Sequence, residues 1–372
     1  MAGIYLHIPF CKRICAYCDF YKSAQLKYID KVVERMHEEL QSRTNFLPSN
    51  KIDTIYFGGG TPSLLSVEKI ESLIEHIFEI FDCSNIGEIT LEANPDDLTD
   101  EYLEALARSR VNRLSIGIQS FDDRELKFMN RRHSAEQARR CVKMAKLMGI
   151  NNLSIDLIFG VKGFGGETLL KSIDEALKLD VEHISLYHLT IEPGTTFGRR
   201  AERGELSAVD EEISEEEFST IRARCTEAGY EHYEISNFAR RGFRARHNSS
   251  YWEGEPYLGI GPSAHSYNGK ERCWSTDSVE SYILGGEFSF EKEFLTERDH
   301  INERIMTGLR TARGVDLQRF RLDFGEEALR RLEQRAEKFF ERNLLSVEDG
   351  FLRIKPEDFL ISDSIIGELF ED

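Results

Sequence analysis

The sequence predicts an α/β protein: an incomplete (β/α)6 barrel of the TIM type, followed by a small α+β domain with a winged-helix-like arrangement. Three observations predict this fold. Six short strand-like segments alternate with helical patterns in the first half of the chain. Polar or glycine-rich sequence lies at the C-terminal ends of these segments. From about residue 258 the alternation stops, and glycines, helices and a hairpin take its place.

The six predicted strands are short and apolar, and several lack polar alternation, which is typical of parallel strands covered on both faces. They span Gly3–Ile8, Thr54–Phe57, Glu88–Leu91, Arg113–Ile118, Leu153–Ile158 and His183–Leu189. Between them, apolar residues recur at helical spacing, and Ser134 with Gln137 forms a capping box that begins a helix. Because βαβ crossovers are right-handed, about six such units predict most of a barrel.

The chain divides into three predicted parts: a core barrel with an extension over residues 1–257, a connecting segment over 258–296, and a C-terminal domain over 297–372. The predicted elements of that last domain are two helices, a hairpin turned by Asp349-Gly350, and a final helix. They span Ile301–Thr311, Glu327–Arg342, Leu344–Val347 with Phe351–Ile354, and Asp358–Phe370.

Composition limits the partners of the chain. The net charge of −18, from 48 basic and 66 acidic residues, opposes nonspecific binding to nucleic acid or anionic lipid. No apolar run approaches the ~20 residues of a membrane span, and the N-terminus does not resemble a secretory signal. We therefore expect a cytoplasmic protein that is not an integral membrane protein and binds no nucleic acid.

Three of the seven cysteines are clustered, with the spacing Cys11-x3-Cys15-x2-Cys18, and the other four are scattered. Thiolates are soft ligands for iron–sulfur clusters, zinc or copper(I). Three cysteines on one loop leave a coordination position open, which fits a cubane cluster with one iron free for another ligand. Zinc with His7 as a fourth ligand is the alternative.

The other candidate side chains lie where parallel strands end, on the face where such barrels place their active sites. Gly58-Gly59-Gly60-Thr61-Pro62 follows the second strand, and missing side chains let a ligand approach the backbone there. Glu92 ends the third strand and Gln119 the fourth, and Asp156 lies in the fifth.

Together these motifs are similar to those of the radical S-adenosylmethionine superfamily, and in detail they resemble its coproporphyrinogen-oxidase-like branch. The match runs over nearly the whole chain. Its motifs are the three cysteines with Tyr17 before the third, Gly58 to Pro62, Tyr5 to Phe10, Glu92 to Pro95, Gly117 to Phe121, Arg131 to His133, and Ile155 to Gly160. One departure is Asn130, where the family usually has glycine.

The resemblance implies that the barrel is a radical S-adenosylmethionine barrel and gives each matching residue a role. Cys11, Cys15 and Cys18 would hold a 4Fe–4S cluster, with S-adenosylmethionine on the fourth iron. Tyr17 would lie beside the adenine and Tyr5 near the cluster. The methionine end would contact Gly59, Gly60 and Thr61, and its other polar atoms Glu92, Gln119, Arg131 and Asp156.

Two features separate the branches of this family. Coproporphyrinogen oxidases continue to a further cysteine where this chain has Phe20. The stretch from His247 to Trp252 matches the His-Asn-x-x-Tyr-Trp signature of the HemW heme chaperones, where His247 would contact heme and Tyr251 and Trp252 would offer flat apolar surface. His265 and His188 are further candidate ligands, and Arg244 and Arg246 candidate partners for propionates. The signature could instead stabilise the floor of the barrel.

The resemblance thus implies a heme chaperone that binds heme, a 4Fe–4S cluster and S-adenosylmethionine. It would pass heme to apo-hemoproteins such as respiratory-chain acceptors, reached at the inner face of the membrane. The alternative is an oxygen-independent coproporphyrinogen III oxidase, which decarboxylates its substrate to protoporphyrinogen IX. Whether the chain acts as an enzyme and whether it forms a homodimer stay open at this point.

Overall fold

Six parallel strands in chain order form the centre of the molecule. We analysed a computed structural model of the chain, which describes residues 2–371. The strands are β1 (Gly3–Ile8), β2 (Thr54–Gly59), β3 (Glu88–Ala93), β4 (Arg113–Gln119), β5 (Leu153–Phe159) and β6 (His183–His188). Each pairs in parallel with the next, and helices cover the outer side. The predicted incomplete barrel is therefore confirmed.

The helices between these strands bury one apolar face each. They are α1 (Ile29–Ser42), α2 (Val67–Ile80), α3 (Asp100–Leu106), α4 (Asp123–Phe128), α5 (Ala135–Leu147) and α6 (Glu167–Lys178). In α1 the buried side chains include Val32, Val33, Met36 and Leu40, at the spacing of one helix face. The predicted capping box of Ser134 and Gln137 begins α5.

Further elements extend both edges of the barrel sheet. Along the chain they are α7 (Thr196–Glu202), α8 (Glu211–Glu227), β7 (Glu231–Glu234), β8 (Asn237–Ala239), α9 (Arg246–Trp252), β9 (Tyr257–Ile260), β10 (His265–Tyr267), β11 (Glu271–Ser275), α10 (Val279–Ile283) and β12 (Phe290–Phe294). β8 pairs with β6, and β9 pairs in parallel with β1. The predicted connecting segment, residues 258–296, thus widens the sheet from β9 to β12.

The C-terminal part forms a separate three-stranded sheet with helices. Its elements are α11 (Glu297–Leu309), β13 (Val315–Asp316), α12 (Leu317–Glu341), β14 (Leu345–Glu348), β15 (Phe351–Ile354) and α13 (Ser362–Gly367). Gly325 has a φ of 87° and divides α12 into two segments. The single final helix predicted from the sequence is a 3-10 helix over Pro356–Ile361 followed by the short α13.

Strand alternation decides what faces the interior of the barrel. In β1, Ile4 and Leu6 lie fully buried in the hydrophobic core, while Tyr5 and His7 point to the other face. The inner face therefore carries polar and aromatic side chains, which builds the site described next. Among residues 2–371, we find no helix with both the length and the apolar character needed to cross a membrane.

Candidate functional site

The three clustered cysteines lie on one loop between β1 and α1, residues 9–23, here called the cysteine loop. Backbone hydrogen bonds fix it at several points: Cys11 N donates to Ser23 O over 3.0 Å, and Ser23 N to Pro9 O over 2.6 Å. Ala16 N donates to Met129 O over 3.0 Å. The loop is therefore closed at its base and held against the residue that follows α4.

Donors from neighbouring elements point at two of the sulfur atoms. Thr61 Oγ1 lies 3.5 Å from Cys11 Sγ, and Arg131 Nη1 lies 3.3 Å from Cys15 Sγ. Burial raises the pKa of the Cys11 and Cys18 thiols, and the Thr61 hydroxyl and the Lys22 ammonium respectively act in the opposite direction. Because burial disfavours the thiolate, these cysteines need positive charge nearby to ionise. Iron ions would supply that charge, so the three sulfur atoms and their neighbouring donors fit a bound iron–sulfur cluster.

The alternative zinc site with His7 does not fit the geometry. His7 Nδ1 lies 3.2 Å from Tyr5 Oη, and its Nε2 lies 3.3 Å from Tyr21 O, so both ring nitrogens have partners. In the described part of the chain, no three His, Cys, Asp or Glu side chains stand close enough together to hold one metal ion. The arrangement favours a group larger than a single ion on the three cysteines.

Two glycines bring the end of β2 against β1 and the cysteine loop. Gly59 has a φ of 105°, and a Cβ there would lie 2.7 Å from the ring of His7. A Cβ on Gly60 would lie 2.8 Å from Phe10 O. This crowding explains why side chains are absent at these positions.

Two carboxylates point into the mouth of the barrel. Glu92 accepts hydrogen bonds from Tyr56 Oη over 2.6 Å and from Gly59 N over 3.2 Å. Burial, with repulsion from Asp156, raises the pKa of Glu92 to about 7. Burial also raises the pKa of Asp156 to about 6. A ligand with positive charge would stabilise both as anions, which fits a sulfonium with an amino group.

Glu92→Gln is expected to stabilise the cluster-free chain at alkaline pH. The folded-state pKa lies above the ordinary value of 4.5, so the folded state binds the proton more tightly than the unfolded state. The contribution of Glu92 to the free energy of unfolding therefore falls as the pH rises from about 4.5 to about 7. Because Glu92 is partly exposed, solvent screening reduces the effect, and we expect a gain of about 2 kcal/mol at pH 8.

Urea unfolding of wild type and variant between pH 5 and pH 8 measures this difference. Glu125→Gln is the matched control, because burial also raises the pKa of Glu125 to about 7 while the residue lies outside the barrel mouth, beside Ser120. Both variants should gain stability at pH 8, but only Glu92→Gln should weaken S-adenosylmethionine binding. A Glu92→Gln stability curve parallel to wild type would contradict the account.

Arg131 links the cysteine loop to the C-terminal ends of β3 and β4. Its guanidinium donates to Asn94 Oδ1 over 2.6 Å and to Gly117 O, besides contacting Cys15. Its Nε is buried without a hydrogen-bond partner among residues 2–371, so one donor remains for a ligand. Asn94 in turn donates to Thr61 Oγ1 over 3.3 Å, a role that sequence reasoning missed although Asn94 lies in a quoted motif.

Backbone geometry explains two further residues. Gln119 has a φ of 68° at an irregularity in the pairing of β4 with β5, a strained conformation of the kind found at binding sites. Asn130 has a φ of 61°, which asparagine tolerates better than most residues, and its side chain donates to Ile14 O over 2.7 Å.

Tyr17 is half-buried in the cysteine loop, where burial raises its pKa and Arg131 opposes the rise.

His247 lies at the opposite end of the strands, on α9 beneath the barrel. Its Nδ1 lies 2.8 Å from Thr54 Oγ1 and its Nε2 lies 2.7 Å from Tyr251 Oη. Its backbone N–H donates to Glu88 over 3.0 Å, and its side chain is 0% exposed. Burial lowers the pKa of His247 to about 3. In this conformation the ring holds the floor of the barrel together, and binding iron would require breaking a hydrogen bond.

Tyr251 and Trp252 from the same helix reach a large cleft instead. It has a volume of about 820 Å³ and lies between the inner face of β1, β9 and β10 and the helices α11 and α12. Phe20, which is 70% exposed, lines the same cleft from the cysteine loop. Tyr257 and His300 also line it, and neither was among the candidate site residues predicted from the sequence.

The remaining candidates are spread over the surface of the barrel. His265 lines the cleft, whereas His188 lies away from it, 3.0 Å from Ser214 Oγ. Arg244 pairs with Glu231 and lines a neighbouring cavity, and Arg246 lies against Gly87. The structure therefore groups most of the predicted cluster and cosubstrate residues at the barrel mouth. His247 lies below them, and its ring stacks on that of Tyr5 with the centroids 6.4 Å apart.

Comparisons with known proteins agree with this geometry. Residues 5–176 match the radical SAM superfamily, and residues 295–361 match the HemN C-terminal domain. The chain is 38% identical to the heme chaperone HemW of Lactococcus lactis subsp. lactis (strain IL1403), over 86% of this chain and 84% of the relative. It is 34% identical to the heme chaperone HemW of Bacillus subtilis (strain 168), over 99% of this chain and 98% of the relative.

A solved structure shares the fold. Coproporphyrinogen III oxidase (HemN) from Escherichia coli superposes with a TM-score of 0.85 at 20% identity, over 99% of this chain and 90% of that chain. The fold is thus that of the radical S-adenosylmethionine proteins, a class that implies a 4Fe–4S cluster and S-adenosylmethionine as cofactors. Within this class, the chain belongs to the HemW family.

Proposed function

We propose that this chain is a heme chaperone that binds heme and passes it to apo-hemoproteins. The observation that carries the proposal is the cleft of about 820 Å³, which extends from Phe20 on the cysteine loop to Trp252 beneath the barrel. Its volume falls in the range of pockets for cofactor-sized ligands, about 300–1,000 Å³. The HemW relatives, named as heme chaperones, support the same function.

The barrel mouth would hold the two resident cofactors. Cys11, Cys15 and Cys18 would bind the 4Fe–4S cluster, which supplies single electrons to the sulfonium when S-adenosylmethionine is bound. Glu92 and Asp156 would neutralise the positive groups of S-adenosylmethionine, because burial raises the pKa of both carboxyls until such a partner arrives. The set of contacts is completed by Tyr5, Tyr17, Gly59, Gly60, Thr61, Gln119 and Arg131.

The exposed ring of Phe20 favours the chaperone over the coproporphyrinogen III oxidase. The oxidases of the family carry a cysteine at this position, and here an apolar ring faces the cleft beside the cysteine loop. A phenylalanine side chain provides flat surface for a porphyrin but no thiol chemistry. The acceptors would be respiratory hemoproteins reached from the cytoplasm. Because the chain has a net charge of −18, it would contact the acceptor protein rather than the anionic lipid around it.

Anaerobic titration of the reconstituted chain with ferric heme tests this function. We expect saturable uptake of one heme per chain, transfer of that heme to an added apo-cytochrome, and no turnover of coproporphyrinogen III. The same assays on the Phe20→Cys variant serve as a control for the missing thiol. Porphyrinogen turnover by the wild type without heme uptake would replace the proposed function with that of the oxidase.

A further inference from the structure

We propose that heme lies in the cleft between the β9–β10 edge of the sheet and helices α11 and α12, with His265 as the axial ligand of its iron. This inference rests on the proposed function and names its binding site. It places iron ligation on a histidine outside the His-Asn-x-x-Tyr-Trp signature. The signature would then act through Tyr251 and Trp252, which contact the cleft.

The walls of the cleft suit a flat, largely apolar ligand with carboxylate groups. Trp252 and Tyr257 line it from the barrel side and Phe324 from α12. The rings of Tyr251 and Tyr257 pack edge to face with their centroids 4.7 Å apart, and this contact fixes their orientation. Aromatic side chains held in this way can contact a porphyrin plane without losing further conformational freedom.

His265 has the accessibility that a ligand needs. It is exposed at the start of β10, and its ring stacks on Trp274 with the centroids 5.6 Å apart and the planes at 24°. No residue within 2–371 makes a hydrogen bond to its ring nitrogens. Partial burial, with Arg272 nearby, lowers the pKa of His265, so the imidazole is neutral and offers a lone pair to iron at pH 7.

Two further histidines near the cleft, His7 and His247, lack this accessibility. His247 is enclosed and hydrogen-bonded through both ring nitrogens, and its Nε2 contact orients the phenol of Tyr251. His7 lines the cleft, but its ring is held by Tyr5 and by Tyr21 O. Both are therefore positioning residues.

Two arginines that line the cleft, Arg272 and Arg304, would pair with the propionate groups of heme. Arg272 pairs with Glu303 at 2.6 Å, whereas Arg304 lies 3.9 Å from Asp323. The looser pair leaves the Arg304 guanidinium able to share a second carboxylate. Because Arg304 belongs to α11 and His265 to β10, bound heme would join the barrel sheet to the C-terminal domain.

His300 is the rival ligand, because it lines the same cleft from α11. Ferric heme should therefore be titrated into wild type, His265→Ala, His300→Ala and His247→Gln, with the Soret and visible bands reporting the axial ligand. His76→Ala, a half-buried histidine between α1 and α2, is the matched control. The readout is the ligation spectrum and does not depend on chaperone activity.

We expect His265→Ala to lose the histidine-ligated spectrum and to bind heme about tenfold more weakly or worse. Added imidazole should restore the spectrum in this variant, because the cleft stays intact. The other three variants should keep it. Loss of the spectrum in His300→Ala or His247→Gln, with His265→Ala unchanged, would overturn the assignment while leaving the proposed function in place. Failure of the wild type to bind heme would instead overturn the proposed function.

Discussion

Gly59→Ala is expected to lower the free energy of unfolding by about 3 kcal/mol and to abolish S-adenosylmethionine binding. The backbone φ of 105° is unfavourable for alanine, at a cost of about 1–3 kcal/mol. The added Cβ would also lie 2.7 Å from the ring of His7, which two hydrogen bonds hold in place. Relief of this contact would move the end of β2 away from β1.

Chemical unfolding followed by fluorescence and equilibrium binding of S-adenosylmethionine measure the two effects. Gly163→Ala is the matched control, because Gly163 has a φ of 90° and open space where its Cβ would stand. This variant should show the backbone cost alone and should bind S-adenosylmethionine normally. Equal losses in both variants would contradict the role of the close approach between Gly59 and His7.

Arg131→Met is expected to destabilise the cysteine loop and to speed the loss of iron. The substitution removes a charged donor from Cys15 Sγ, Asn94 Oδ1 and Gly117 O at once. Hydrogen bonds from charged groups contribute about 1.5–3 kcal/mol each, and relaxation recovers part of the sum. We therefore expect a loss of about 3 kcal/mol and a shorter lifetime of the reconstituted cluster.

Arg132→Met separates this effect from a general loss of ion pairing. Arg132 is also half-buried, and it pairs with Asp96 at 2.6 Å and with Asp97 at 3.1 Å. Among residues 2–371 it makes no hydrogen bond to a sulfur atom. Iron per chain and its rate of release to a chelator should change in Arg131→Met and stay near wild type in Arg132→Met. Equal iron retention in the two variants would show that Arg131 does not support the cluster.

The central strands were predictable because parallel strands carry continuous apolar sequence. The six predicted strands begin at the residues observed. The C-terminal end of β1 also matches, and those of the other five differ by one or two residues, as in β2, which continues to Gly59. The grouping of the predicted cluster and cosubstrate residues at one face was predictable for a related reason. Topology alone brings the ends of parallel strands to one face, so Glu92 and Asp156 meet there whatever the details of packing.

Elsewhere local sequence was a poor guide. Gly325 looks like a helix breaker, so the helical segment Leu317–Glu341 was predicted only after it, from Glu327. β9 to β12 are short strands interrupted by glycine, and they are held by pairing with β1 and with one another. Their existence depends on distant partners, which no local window of sequence shows.

The cleft depends on tertiary structure in the same way. Tyr257 and His300 come from elements more than 40 residues apart, and neither belongs to a motif with a known mechanism. His247 shows the opposite case, since its motif indicated a ligand but the structure encloses the ring between Thr54 and Tyr251. Burial and hydrogen bonding decide whether an imidazole is available, and sequence spacing does not show either.

Iron and sulfide analysis of the anaerobically reconstituted chain tests the central claim most directly. If Cys11, Cys15 and Cys18 hold a cubane cluster, the chain will be brown and contain roughly four irons and four sulfides. On reduction it will give an electron paramagnetic resonance signal that changes when S-adenosylmethionine is added, and Cys15→Ala will contain neither iron nor sulfide. A colourless wild type that contains zinc alone would contradict the account.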